Sequence, residues 1–126
     1  MANLTTVPDA AQIQLNFSIG GNQASSWQHK YVPKNIDGTI FNCTAAATAT
    51  IYVNTPTYIN PSNNANFPCT IGTADATGVV LSMTEAQVIN LLSAMTSGTT
   101  KYTIAINNGV DNFLTGIGNV IVAVQP

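Results

Sequence analysis

The chain is 126 residues long, and while 45% of it is hydrophobic, only 6% is charged, for a formal charge of −2. An ordinary soluble domain carries about 25% charged residues, so a single core must here be clothed in Thr, Asn, Ser and Gln. Its three cations, Lys30, Lys34 and Lys101, are too few to neutralise a useful run of phosphates, and no stretch nears the roughly 20 apolar residues of a membrane span; neither nucleic acid nor a membrane is an expected partner.

Met1 to Ala11 has no hydrophobic period and contains Pro8. It reads as an extended arm that frays or lies on a neighbour, with Leu4, Val7 and Pro8 as its contact residues. Met1 to Asp9 also lacks the basic start and apolar stretch of a signal peptide, so a soluble, cytoplasmically made protein is expected. From Ile13 to Ile19 the apolar residues Ile13, Leu15, Phe17 and Ile19 alternate with polar ones, the period of a half-buried strand. Gly20-Gly21-Asn22 stops it.

Trp27, His29 and Tyr31 alternate with Gln28 and Lys30 and predict a second strand, followed by a turn at Asp37-Gly38. A strand from about Ala47 to Val53 places Ile51 and Val53 on one face, Thr50 and Tyr52 on the other. The segment from about Asn54 to Cys69 holds Pro56, Pro61 and Pro68 among many Asn residues. Proline removes a ladder donor, so this segment reads as a long loop. Tyr58, Ile59 and Phe67 would need cover there from the domain or a partner.

Val79 to Met83 reads as a strand that runs into Thr84-Glu85-Ala86-Gln87, a capping box. Val88, Leu91, Leu92 and Met95 follow at helical spacing, so one short helix is expected over about residues 85–95, ended by Ser97-Gly98. Lys101 to Asn107 alternates again with Tyr102, Ile104 and Ile106 on one face, and Asn108-Gly109 predicts a hairpin returning from about Phe113 to Val124. The Gly116-Ile117-Gly118 run precedes a strand, not a helix, so it marks a bulge or a close backbone approach and not a phosphate loop. Short strands, frequent turns and one helix make the expected fold a mainly β, antiparallel, immunoglobulin-like sandwich in one domain.

Chemistry-bearing residues are sparse. One His and two distant Cys lack the spacings of a zinc site, and Asp9, Asp37, Asp75, Glu85 and Asp111 are spread too far apart for a calcium loop. No metal or cofactor is expected. His29 is the sole group titrating unperturbed near neutrality, but without a flanking motif it reads as a structural strand residue beside Trp27 and Tyr31. Cys43 and Cys69 are the candidate disulfide, which would contribute about 3 kcal/mol. Two buried thiols are the favoured reading, because nothing signals an oxidising compartment. Trp27, Tyr31, Tyr52, Tyr58 and Phe67 could form a sugar platform or a subunit contact, although most read as core. Trp27 joins Tyr58, Ile59 and Phe67 as a candidate contact residue.

Asp37-Gly38-Thr39-Ile40-Phe41-Asn42-Cys43-Thr44-Ala45-Ala46 resembles the turn-and-strand opening of small phage domains such as the N-terminal domain of baseplate upper proteins. A second stretch is similar to the same family: Val79 to Thr84, the helix with Leu91 and Leu92, Lys101-Tyr102-Thr103-Ile104, the Asn108-Gly109 turn, and Leu114-Thr115-Gly116 before Val120 to Val124. The resemblance implies a virion protein. The Asn54 to Cys69 insertion, the dearth of charge and the end at Pro126 without a receptor-binding domain depart from that pattern and point to a free-standing virion component. The expected function is therefore structural, not enzymatic: a bacteriophage capsid decoration or cement protein, oligomeric and bound to capsid or tail proteins. A tail, neck or baseplate adaptor is the alternative, and a carbohydrate-binding module a further one.

Overall fold

Alternation of Tyr102, Ile104 and Ile106 on one side and the Asn-Gly turn on the other build the central hairpin of the molecule. The computed structural model, which describes residues 2–3, 6–18, 23–53, 65–94 and 99–125, pairs Thr99–Asn107 with Asn112–Gln125 across the loop at 108–111. In chain order the elements are β1 (Ala2–Asn3), β2 (Thr6–Val7), β3 (Asp9–Ala10), β4 (Ile13–Ser18), β5 (Gln23–Ala24), β6 (Trp27–Tyr31), β7 (Lys34–Asn35) and β8 (Thr48–Val53). They continue with β9 (Ala65–Asp75), β10 (Gly78–Met83), α1 (Glu85–Ala94), β11 (Thr99–Asn107) and β12 (Asn112–Gln125). The protein is mainly β, with two sheets in a sandwich-like arrangement and one short helix among the described residues.

The main strands form one continuous path, β5-β4-β12-β11-β8-β9-β10-β6, which divides at β9 into a first sheet, β5 to β9, and a second, β9-β10-β6, while β2 and β7 pair separately. Strand β9 serves both: its first half, to Cys69, pairs with β8, and from Thr70 onward it pairs with β10. Between the pairs Val79↔Ala74 and Leu81↔Ile71, two residues of β9, Gly72 and Thr73, oppose Val80 alone. Such a bulge bends a strand and lets it pass from one sheet to the other.

This strand corrects the expected loop over about residues 54–69. Its last part, including Phe67 and Pro68, is strand, while residues 54–64 lie outside those described. Pro68 pairs with Thr50, and β10 engages β9 only from Thr70. The ring therefore sits where β9 has one neighbour, and its missing N–H removes no bond from a strand flanked on both sides.

The alternation expected of β8 holds, with Ile51 and Val53 buried and Thr50 and Tyr52 half-buried. Ile13 and Leu15 of β4, and Val79, Leu81 and Met83 of β10, face the same core. The capping box also forms: Thr84 N–H donates to Gln87 Oε1 at 2.8 Å, and Gln87 N–H donates to Thr84 Oγ1 at 3.3 Å. Val88 and Leu91 on α1 are fully buried, each contributing about 1.5–3 kcal/mol, and the helix packs against β5, β9 and β10.

Two pairings differ from a purely antiparallel sandwich. Strand β4 lies parallel to β12, from Ile13↔Val120 to Ser18↔Gln125, and β1 and β3 continue that line, also in parallel, at Ala2↔Asn112 and Asp9↔Gly116. The segment expected as an arm lying on a neighbour is thus extended, but it runs along β12 of its own domain. Its donors and acceptors meet an otherwise free ladder there, which its lack of hydrophobic period could not reveal.

Candidate contact surface

The arm is pinned by two buried tyrosines, one from each sheet. Tyr102 on β11 donates its hydroxyl to the Ala11 carbonyl at 2.6 Å, and the Tyr31 and Tyr102 oxygens lie 2.7 Å apart. A carbonyl only accepts, so Tyr102 spends its proton on Ala11 and Tyr31 donates to Tyr102. Burial pushes the Tyr102 phenol up to about 12 and raises that of Tyr31 further, helped there by the neighbouring Tyr102. Both therefore stay protonated and keep their hydrogen bonds at neutral pH.

Glycines make room for this joint. A Cβ on Gly116 would lie 2.5 Å from Tyr31 Cε1, and one on Gly118, whose φ is +155°, would lie 2.3 Å from the Ala11 carbonyl oxygen. The Gly116-Ile117-Gly118 run thus marks close approach, as expected, with an extra residue, Thr115, inserted just before it. Three more bonds fasten the arm. Thr6 Oγ1 donates to the Leu114 carbonyl, Asp9 Oδ2 accepts from Val32 N–H, and Ala11 N–H donates to the Ile117 carbonyl.

Beside the joint, β2 pairs with β7 through Val7↔Lys34, and Lys34 bridges to Ile40 on its other side. Paired residues share a face, so Val7, Lys34 and Ile40 form one row. Val7 is 48% exposed, Ile40 44%, and Ile36 next to them 71%. Ile36 and Ile40 flank a turn in which Asp37 Oδ1 accepts from both the N–H and the hydroxyl of Thr39; these bonds hold the Asp37 carboxyl below its usual range. Ile117 on β12 and Val110 in the hairpin loop are also exposed.

Of the residues expected to make contacts, Val7 lies in this row and Pro8 is half-buried behind it. Leu4, Tyr58 and Ile59 lie outside the described residues. Trp27 and Phe67 are half-buried and pack against the core. Ile36, Ile40, Val110 and Ile117 were not anticipated. A signal existed for Ile36 and Val110, since each adjoins or sits in a Gly-containing turn that is too exposed to bury an apolar side chain.

Cys43 and Cys69 are free thiols in the structure, so the candidate disulfide does not form. Cys43 N–H donates to the Asp75 carbonyl, near the far end of β9 from the Cys69 position. Burial pushes the Cys43 thiol up to about 11 and the Cys69 thiol up to about 12, so neither is an ionised nucleophile at neutral pH. Cys43 lines a hollow of about 80 Å³ with Phe41, Ala46, Ile106 and Phe113. His29 is half-buried on β6 with its ring edge-on to Tyr31 at 4.6 Å, as expected of a structural residue.

Among the described residues, no group of three or more His, Cys, Asp or Glu is placed to hold a metal ion, and no helix is long and apolar enough to cross a membrane. What the described surface offers is apolar contact area beside a sutured arm. No family model matches the chain, and no curated protein matches it closely enough to mark a relationship.

Proposed function

We propose that this protein is a structural component of a bacteriophage particle, a capsid decoration protein with an immunoglobulin-like sandwich whose Val7–Ile40 side meets its neighbours. One observation carries the reading. On a chain with 6% charged residues, four of the six exposed large apolar residues among the described residues, Val7, Ile36, Ile40 and Ile117, lie on or beside the arm and β12, while Val110 sits in the hairpin loop and Ile89 on α1. Covering such a surface takes large apolar side chains out of water, and a partner would have to meet Lys34 in the row and Asp37 in the adjoining turn with polar or charged groups of its own. The tyrosine joint holds the row in place, so a neighbouring subunit would find it already ordered. Copies of this chain and a major shell protein are the partners that this reading names.

The test has two arms. Antibody labelling and reconstruction of purified phage particles should place the protein on the outer shell in regular copies; a position on the tail or baseplate would favour an adaptor. Absence of the protein from particles that are otherwise complete would overturn the reading. In parallel, Ile36→Asp with Ile40→Asp should lower occupancy on particles at least tenfold while leaving the circular dichroism spectrum unchanged.

A further inference from the structure

The β11–β12 hairpin carries two consecutive asparagines at its turn, and the fold holds their side chains differently. Asn107 is half-buried and bound at both ends of its amide. Its Oδ1 accepts from Gly109 N–H at 2.6 Å, and its Nδ2 donates to Asn112 Oδ1 at 2.8 Å. Asn108 is exposed and bound at one end only. Its Oδ1 accepts from the backbone N–H groups of Val110 at 2.9 Å and Asp111 at 2.8 Å, while its Nδ2 has no partner among the described residues.

That arrangement suits one reaction of the asparagine amide. Gly109 N and Asn108 Cγ are joined through the C, Cα and Cβ atoms of Asn108, so a bond between them closes a five-membered ring. Attacking atom and target belong to one chain, which removes the entropy cost of bringing them together. Attack turns the Asn108 side-chain carbonyl into a tetrahedral centre with negative charge on Oδ1, where two backbone donors already point.

The attacking nitrogen is also open to solvent. It belongs to a glycine at φ +100°, with nothing within 4 Å of where a Cβ would lie. The equivalent reaction at Asn107 is opposed on three counts. Its attacking nitrogen would be that of Asn108, which carries a side chain and donates its N–H to the Asp111 carbonyl at 3.2 Å. Its leaving nitrogen is held by Asn112, and its carbonyl oxygen has a single donor.

We propose that Asn108 is a site of spontaneous deamidation in the folded protein. Gly109 N loses its proton to a base from solvent and bonds to Asn108 Cγ; the Cγ–Nδ2 bond breaks, and the nitrogen takes a proton from water and leaves as ammonia. Water then opens the cyclic imide at either carbonyl. Cleavage of the new N–Cγ bond gives aspartate, and cleavage of the original peptide C–N bond gives isoaspartate, with the backbone rerouted through the side chain. The net reaction consumes one water and releases one ammonia, with no enzyme, metal or oxidant. Each event takes the formal charge one unit below −2 and puts a carboxylate beside Val110, which is 81% exposed. The apolar tip of the hairpin becomes ionic as the molecule ages, and this does not depend on the virion reading.

The test follows the purified full chain over time at neutral and mildly alkaline pH, by peptide mapping with mass spectrometry and by enzymatic methylation of isoaspartate. Asn108 should gain the mass that replaces NH2 by OH about tenfold faster than Asn107 or more, as a mixture of aspartate and isoaspartate, and faster at the higher pH. Gly109→Ala, whose methyl crowds the attacking nitrogen, should slow the gain about tenfold with an unchanged circular dichroism spectrum. Asn108→Gln, which would need a six-membered ring, should stay intact at this position. Four outcomes overturn the proposal: no conversion of Asn108 in the folded chain, an equal rate at Asn107, aspartate without isoaspartate, which would mean direct hydrolysis, or an unchanged rate in both variants. Particle localisation is measured independently, so failure here leaves the virion reading standing, and the reverse also holds.

Discussion

Strand β12 has two flanks, and they are made in opposite ways. On one side it pairs with β11 across the loop at 108–111, antiparallel, with Gly109 at φ +100° and nothing within 4 Å of where its Cβ would lie. On the other side it takes β1, β3 and β4 in parallel, from the opposite end of the chain. The ladders are chemically alike, but the first closes a loop of a few residues and the second one of about a hundred, with a correspondingly larger entropic cost. The local flank needs little beyond its turn. The distant flank has a fitted joint of two tyrosines and two glycines, and its position depends on contacts instead of chain proximity.

The sharpest way to break this contrast is to place the same methyl group on each flank. Gly118→Ala drives a Cβ into the Ala11 carbonyl at a φ that L-residues rarely adopt, and should cost about 3 kcal/mol in urea denaturation. Gly109→Ala has open space and only the φ penalty, so about 1 kcal/mol is expected. Equal losses would mean that the arm seam is no more closely fitted than the hairpin.

Within the joint the two hydroxyls should be unequal. Tyr102→Phe leaves the Ala11 carbonyl without its donor and the Tyr31 O–H without its acceptor, at about 2–3 kcal/mol, whereas Tyr31→Phe removes a donor from a hydroxyl that still has Ala11, at about 1 kcal/mol. Proteolysis should also cut the arm faster in Tyr102→Phe than in Tyr31→Phe. A larger loss for Tyr31→Phe would reverse the donor order deduced from the geometry.

The smallest effect concerns pH. The unfolded chain releases its thiol and phenol protons from about pH 9 to 10, while in the fold Cys43 is pushed up to about 11 and Cys69 and Tyr102 to about 12. The native state retains protons that the unfolded state has lost, so their contribution is fully present below about pH 9 and is lost as pH rises to about 12. Denaturation midpoints measured across this window should fall, and less steeply in Tyr102→Phe, which has one such group fewer. A flat profile would contradict the burial of these groups.

Much of the architecture was legible in local patterns. Alternation predicted β4, β6, β8 and β11, the apolar run at Val79 to Met83 predicted β10, the Asn108-Gly109 turn predicted the return of β12, and Thr84 with Gln87 announced the start of α1, because each signal is set by neighbours a few residues apart. Strand β9 was not legible at all. Pro68, Gly72 and Ala74 break any period, and their role follows from β9 changing partners midway along its length. The contact row was half visible: Val7 was marked through the arm, but Ile36 and Ile40 acquire meaning only when the Lys34 pairings set them beside it.

Composition alone determined that this protein has one core beneath an almost uncharged coat, since 6% charge leaves no other surface to build. Tertiary structure alone decided that the first residues are a sheet edge and not a loose arm. Their backbone groups bond equally well to water or to any open strand, and only the space beside β12, cleared by Gly116 and Gly118 and closed by Tyr31 and Tyr102, selects one partner from the many.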